Sequence, residues 1–146
     1  MKRGFTLLEL VVVIVIIGIL ATLGIQQYFR MIERSRGAEA RAILGTIRSL
    51  AAAHRLDRGN LNAFNDADAG IGAGLPGPAL GDCGGTHYFA YDVVKPTTTG
   101  NILQARALRC EGASGKNPPG VAAGSNFILV LDTNFATGAD AFTGPY

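Results

Sequence analysis

The sequence predicts an α+β fold in which one long N-terminal helix packs against an antiparallel β-sheet. Residues 5–25 form an apolar run with a single charged residue, and apolar residues then recur at helical spacing, without a proline, as far as Arg58. Two later segments alternate apolar and polar residues in the manner of β-strands. The 146 residues suffice for one domain of ordinary size, so we expect one helix and one head.

The composition indicates that part of the chain lies outside water. Hydrophobic residues make up 48% of the sequence and charged residues only 16%, which is a sparse charge set for a soluble protein. The high apolar content excludes a disordered chain. The formal charge of +2 is too small to indicate nucleic-acid binding by itself.

The apolar run over residues 5–25 is a transmembrane candidate. Its length at ~1.5 Å per residue gives about 30 Å, the hydrocarbon thickness of a bilayer. A secretory signal peptide has a shorter apolar stretch and a small-residue cleavage site, and this run fits that description poorly. An uncleaved single-pass anchor fits the composition equally well. Basic residues on both sides of the run leave its orientation undecided.

The stem, residues 26–58, is predicted to continue the same helix. Its apolar residues follow a single helical stripe, composed of Ile32, Ala40, Ile43, Leu44, Ile47, Leu50 and Ala51. Gly59 is expected to end the helix. A helix over residues 5–58 would be roughly 80 Å long, so we expect one half in the membrane and the other packed on the head. His54 is predicted to be a polar surface position, because no second metal ligand stands nearby.

The head, residues 59–146, is predicted to begin with a Gly-rich connection over residues 59–85. Its segment 66–70, DADAG, faintly resembles the start of a calcium loop, but the third acidic position and the closing Glu are absent, so we expect no metal. Strands are predicted over residues 87–94 and 102–109, as a hairpin, and over 127–131. The last strand is apolar on both faces, which suits a strand covered by the helix or by neighbours in a polymer.

Cys83 and Cys110 bracket the predicted hairpin. A disulfide between them would stabilise the head by roughly 3–4 kcal/mol on the chain-entropy model, and we predict this bond. Free thiols, or one reactive cysteine, are the alternatives. The sequence has no phosphate loop, haem-attachment motif, metal-ligand spacing or nucleophile motif, so we expect neither an enzyme nor a cofactor.

Residues 4–9, GFTLLE, and the apolar run behind them resemble the class III signal of type IV prepilins and type II secretion pseudopilins. The resemblance implies a pilin-like fold. It also implies that a prepilin peptidase cleaves between Gly4 and Phe5, removes residues 1–4 as a leader, and methylates the new N-terminus at Phe5. The family commonly carries a proline just after the apolar run, where this chain has Gln26. Local melting over residues 18–26 therefore lacks its usual cause, although Gly18 and Gly24 weaken the helix.

Glu9 carries the charge within the apolar run. Placing a carboxylate at the bilayer centre costs roughly 2.5–3.5 kcal/mol of free energy, so we expect Glu9 to pair with a cation. The resemblance implies that this cation is the Phe5 amine of a neighbouring subunit, which sets the register of packed helices. The alternatives are that Glu9 reaches the headgroup region or pairs with the amine of its own chain.

The resemblance implies a structural subunit of a type IV pilus filament, formed as a helical homo-oligomer by packing of the N-terminal helices. The precursor would lie in the inner membrane, with the prepilin peptidase and the pilus assembly machinery as partners, and the assembled filament at the cell surface. A type II secretion pseudopilin is the first alternative, and a minor pilin or membrane-anchored adhesin the second. The head has four basic and seven acidic residues, so no nucleic-acid partner is predicted.

Overall fold

The computed structural model describes residues 4–77, 83, 87–94, 100–110, 116 and 127–145. It contains one helix, α1 (Leu7–Arg58), and four strands, β1 (Phe89–Val94), β2 (Ile102–Arg109), β3 (Ile128–Asn134) and β4 (Ala139–Thr143). The strands form one antiparallel sheet in the order β1-β2-β3-β4. The predicted α+β class, a long apolar helix with an antiparallel sheet, is confirmed.

Helix α1 is 52 residues long and begins two residues later than predicted. It starts at Leu7 because Thr6 caps it, and it ends at Arg58 as predicted. Gly59 has φ of 77° and donates its N–H to the Arg55 carbonyl at 2.8 Å, which is the usual way for a glycine to close a helix. The helix is continuous through residues 18–26.

The chain divides into two compact units, one up to Arg34 and the other from Ser35 to Tyr146. In the first unit the side chains of the apolar run are exposed. The second unit begins 24 residues before the predicted head because part of the stem supplies its core. Four fully buried helix residues belong to the same cluster as the sheet, namely Ala40, Leu44, Ile47 and Ala51.

The predicted stem stripe is right at most of its positions and wrong at one. Leu50 is 41% exposed, because it lies at the margin of the helical stripe whose centre is formed by Ile47 and Ala51. His54 was predicted to lie at the surface, and its position in the structure differs from this prediction. Its ring lies edge-on to Phe64, with centroids 5.4 Å apart, and both ring nitrogens are buried without a hydrogen-bond partner in the described structure.

The buried face of the sheet comes from alternate residues of β2 and β3. Strand β2 buries Leu103, Ala105, Ala107 and Arg109, and β3 buries Leu129, Leu131 and Thr133. Within the single chain, Ile128 and Val130 remain half-exposed, so the predicted cover of that face of β3 by neighbours in a polymer stays a prediction. That strand also runs on to Asn134. Strand β1 buries four consecutive residues, 89–92, so its predicted alternation is not reflected in burial.

The connection after α1 covers one edge of the sheet. The Asp66 carboxylate accepts the N–H of Val93 at 2.8 Å, and the Pro76 carbonyl accepts the N–H of Tyr91 at 2.9 Å. Asp68 accepts the N–H of Asn65 at 3.0 Å within a turn. These two carboxylates therefore hold backbone groups. In the described part of the chain, no three His, Cys, Asp or Glu side chains are grouped so as to hold a metal. The part of the connection at 78–82 and 84–85 lies outside the described residues.

Cys83 and Cys110 are joined by a disulfide, with an S–S distance of 2.01 Å and 5.9 Å between the Cα atoms. Cys110 follows β2 directly, is fully buried, and donates its N–H to the Tyr88 carbonyl at 2.9 Å. Because Tyr88 precedes β1, the disulfide fastens its loop at the end of the sheet where β1 begins and β2 ends.

Candidate processing and assembly site

Residues 4–6 precede the helix as exposed, non-helical chain. Phe5 is 80% exposed, and a Cβ built on Gly4 would meet no atom within 4 Å. The backbone of Gly4 does not have positive φ. Among the described residues, the fold therefore gives no steric reason for a glycine here.

Thr6 and Glu9 form a reciprocal pair of hydrogen bonds at the start of α1. Oε2 of Glu9 accepts the backbone N–H of Thr6 at 3.0 Å and its hydroxyl at 2.9 Å. The Thr6 hydroxyl oxygen in turn accepts the backbone N–H of Glu9 at 3.3 Å. This arrangement is a capping box, which satisfies backbone donors that have no partner inside the helix.

This role of Glu9 was not predicted from the sequence, although a signal for it is present. A Thr followed three residues later by a Glu, just before an apolar run, is the pattern of a capping box. The partners expected for the carboxylate were a neighbouring amine, the chain's own amine and the headgroups. The structure adds a fourth partner, Thr6. The carboxylate charge also lies at the N-terminal end of the helix, where the macrodipole favours it.

The capping box is compatible with a cut between Gly4 and Phe5. Its backbone donor is the amide of Thr6, which belongs to the bond between Phe5 and Thr6 and would remain after that cut. The new amine would be on Phe5, one residue before the hydrogen-bonded Thr6. The structure thus holds the Glu9 carboxylate beside the chain position at which a cation would appear.

Behind the capping box, α1 displays an unbroken apolar surface. Among the described residues it is the one helix long and apolar enough to cross a membrane, and none of its most apolar stretch is buried. The exposed large side chains of this surface are Leu7, Leu8, Leu10, Val11, Val12, Val13, Ile14, Val15, Ile16, Ile17, Ile19, Leu20, Leu23 and Ile25. Apolar surface this extensive requires lipid or other protein as its environment.

The side chain of Thr22 shows how a polar residue is accommodated in this surface. Its hydroxyl donates to the carbonyl of Gly18 at 2.9 Å, within the helix. Because the hydroxyl is satisfied by its own backbone, it does not need water or a second chain. The capping box and this internal bond leave the first turns of α1 ready for an environment without water.

The described arrangement suits recognition and packing. Both cysteines are consumed by the disulfide, and Asp66 and Asp68 bind backbone N–H groups. The sequence-predicted residues Gly4, Phe5 and Glu9 lie together at the N-terminal end of α1, whereas Cys83 and Cys110 lie in the other compact unit and fasten the sheet.

Comparison with known proteins agrees with the geometry at the N-terminal end of the chain. A family model described as the prokaryotic N-terminal methylation motif matches residues 1–25. Fimbrial protein EcpC of Eikenella corrodens is 32% identical over 117 residues, which cover 77% of this chain and 76% of that protein. No solved structure matches the chain.

Proposed function

Because this chain belongs to the type IV pilin family, we propose that it is the structural subunit of a type IV pilus filament. The observation that carries the proposal is the exposed apolar part of α1, which follows the capping box of Thr6 and Glu9. The same chain carries a sheet fastened by a disulfide. In a filament, packing of these helices against one another would remove their apolar surface from water and from lipid. The heads would then lie on the outside.

We further propose how the N-terminal segment is processed. Residues 1–4 would be the leader, prepilin peptidase would cut between Gly4 and Phe5, and the amine of Phe5 would be methylated. Support comes from the match of residues 1–25 to the methylation motif and from the exposure of residues 4–6. The precursor would be anchored in the inner membrane by residues 5–25 until the assembly machinery takes it into a surface filament.

The proposed role of Glu9 is to pair with the Phe5 amine of the neighbouring subunit and so to set the axial register. The capping box supports this role, because it fixes the carboxylate at the end of α1 before assembly. Burying a carboxylate and an ammonium group together relieves the cost of desolvating either one alone. A wrong register would leave both charges unpaired in apolar surroundings, so the pair would act mainly as a selector of register.

Substitutions at Glu9 and Thr6 test the carboxylate charge of Glu9 and the capping of α1 separately. Glu9→Gln keeps an oxygen that accepts from Thr6 and loses the charge, so we expect normal expression and membrane insertion but loss of filaments. Thr6→Val removes the hydroxyl, costs about 1 kcal/mol of helix capping, and keeps the charge, so we expect filaments to form. The readout is the amount of sheared filament, seen by electron microscopy and by immunoblotting, relative to the membrane-inserted precursor.

Three outcomes would contradict parts of this account. Normal filaments from the Glu9→Gln variant would show that the charge has no registering role. Loss of filaments in Thr6→Val, with normal filaments in Glu9→Gln, would show that the cap alone is required. Absence of filaments from cells that express the unaltered chain with its assembly machinery would contradict the filament function itself.

A further inference from the structure

The two edges of the sheet differ in the contacts that the rest of the described chain makes with them. On β1, the N–H groups of Tyr91 and Val93 are occupied by the Pro76 carbonyl and the Asp66 carboxylate. On the opposite side, all five residues of β4 are exposed, and no strand in the described part of the chain pairs with its outer side. We call this outer side of Ala139–Thr143 the β4 edge.

The β4 edge lacks three of the features by which proteins block strand addition. Its sequence, ADAFT, contains neither lysine nor proline, and its pairing with β3 is continuous from Ala139 to Thr143, without a bulge. Its one charge, Asp140, is neutralised by Arg48, whose Nε and Nη2 atoms lie 2.9 and 2.8 Å from the two carboxylate oxygens. Since no described residue pairs with the outer backbone of β4, the edge offers hydrogen-bonding groups without net charge repulsion.

From these observations we propose that the β4 edge binds the β4 edge of a second copy of this chain, in an antiparallel pair centred on Ala141. In that register Ala141 faces its own counterpart and Ala139 faces Thr143, so only small side chains meet on the outer face of the sheet. On the other face, Asp140 of one copy comes opposite Phe142 of the second. Each edge is thus complementary to itself, as a two-fold contact requires.

Charge supports this register. The Arg41 guanidinium lies over the ring of Phe142, with its central carbon 5.9 Å from the centroid. Pairing about Ala141 brings this arginine beside Asp140 of the second copy, while that aspartate keeps its own Arg48. The Asp140 carboxylate of each copy would then lie near two guanidinium groups, its own Arg48 and the Arg41 of the other copy. The two-fold symmetry forms this contact twice.

Symmetry decides where such a pair would form. The two-fold axis of an antiparallel strand pair is perpendicular to the sheet, and the stem packs on one face of that sheet. The axis therefore reverses the direction of the second stem. Subunits of one filament all point the same way, so the pair joins two filaments that run in opposite directions. This step rests on the proposed filament function, and repetition along the filaments would make a weak contact cooperative.

The experiment compares lateral bundling of purified filaments for two lysine variants. Ala141→Lys places two ammonium groups against each other at the two-fold axis, so we expect single filaments and loss of the bundles that pellet at low speed. Ala136→Lys adds the same charge in the exposed turn between β3 and β4, away from the edge, so we expect bundling as in the unaltered protein. High-speed pelleting should recover equal amounts of filament from all three.

Cysteine variants test the register. Oxidised filaments of Ala141→Cys should give a covalent dimer of the chain on a non-reducing gel, because the residue faces its own counterpart. Ala139→Cys serves as the matched control, since it faces Thr143 and should give no dimer above background. Mild reduction should remove the dimer in the same sample.

Four results would overturn the proposal. They are bundling of Ala141→Lys filaments as strong as that of the unaltered protein, equal dimer yields from the two cysteine variants, unaltered filaments that never bundle, and loss of filament formation in Ala141→Lys. The last would place the β4 edge inside a filament. A different outcome, failure of the unaltered chain to form any filaments, would contradict the filament function and not this proposal.

Discussion

Glu9 illustrates at the residue scale how a costly charge is maintained at the start of an apolar helix. The carboxylate accepts two hydrogen bonds from Thr6 and lies at the positive end of α1, so it is stabilised before any second subunit arrives. The sequence was sufficient to recognise the Thr-x-x-Glu pattern, whereas the proposed filament partner of the carboxylate would belong to a second chain, which one sequence does not describe.

Gly144 is a second residue whose identity the structure explains. Its φ is +141°, and a Cβ at this position would lie 2.7 Å from the Ile128 carbonyl oxygen and 3.0 Å from the Leu129 Cα. Backbone atoms of a paired strand cannot move aside without disturbing β3. Gly144 thus lets the chain pass close to β3 directly after β4 ends.

We predict that Gly144→Ala destabilises the head by about 1–3 kcal/mol, through backbone strain and the clash with β3. The control is Gly74→Ala, because Gly74 lacks positive φ and a Cβ there would meet nothing within 4 Å. Thermal unfolding of the detergent-solubilised chain, followed by circular dichroism in the presence of the disulfide, would give both values. Equal melting temperatures for the two variants would contradict the clash.

At the scale of elements, the accuracy of the sequence predictions follows the strength of each pattern. Helix α1 and the hairpin of β1 and β2 were predicted because their periodicity is long and their boundaries carry glycine or turn residues. Strand β4 was missed because ADAFT is short, has two alanines and an aspartate, and is exposed on both faces, so no burial pattern marks it. The length of β3 was underestimated because Asp132 and Asn134 are polar residues on its exposed side.

Strand β4 is tied to α1 by the ion pair between Arg48 and Asp140. The hydrogen bond from Arg48 holds the pKa of the Asp140 carboxyl below its ordinary value. A carboxyl whose pKa is lowered by folding stabilises the fold above its unfolded pKa, near 4, and this contribution disappears as pH falls through the lower folded value.

We therefore predict that Asp140→Asn lowers the melting temperature at pH 7, and that this effect diminishes as pH falls below about 4. The effect at pH 7 should be small, since both side chains are more than a third exposed and solvent screens the pair. Melting curves of the two chains between pH 7 and pH 3 would converge if the prediction holds. A constant difference across that range would show that the carboxylate charge contributes nothing.

At the scale of the whole molecule, the overall charge of +2 is made up of unlike parts. Lys2 and Arg3 of the proposed leader account for it. Residues 5–58 carry +3 and residues 59–146 carry −3. The 48% hydrophobic content is likewise an average, between an exposed apolar helix and a head with a packed core. The sequence located these parts, whereas the start of the second compact unit at Ser35 depends on tertiary packing of the stem.

The N-terminus of the exported chain tests the central claim most directly. Mass spectrometry of protein sheared from the cell surface should find a chain that begins at Phe5 and carries a methyl group on its amine. A Gly4→Val variant provides the control, because a Cβ at this position meets no atom of the chain, so loss of processing would report on the peptidase. We expect that variant to remain as uncut precursor. An exported chain that still begins at Met1 would contradict the assignment of this protein as a processed pilin.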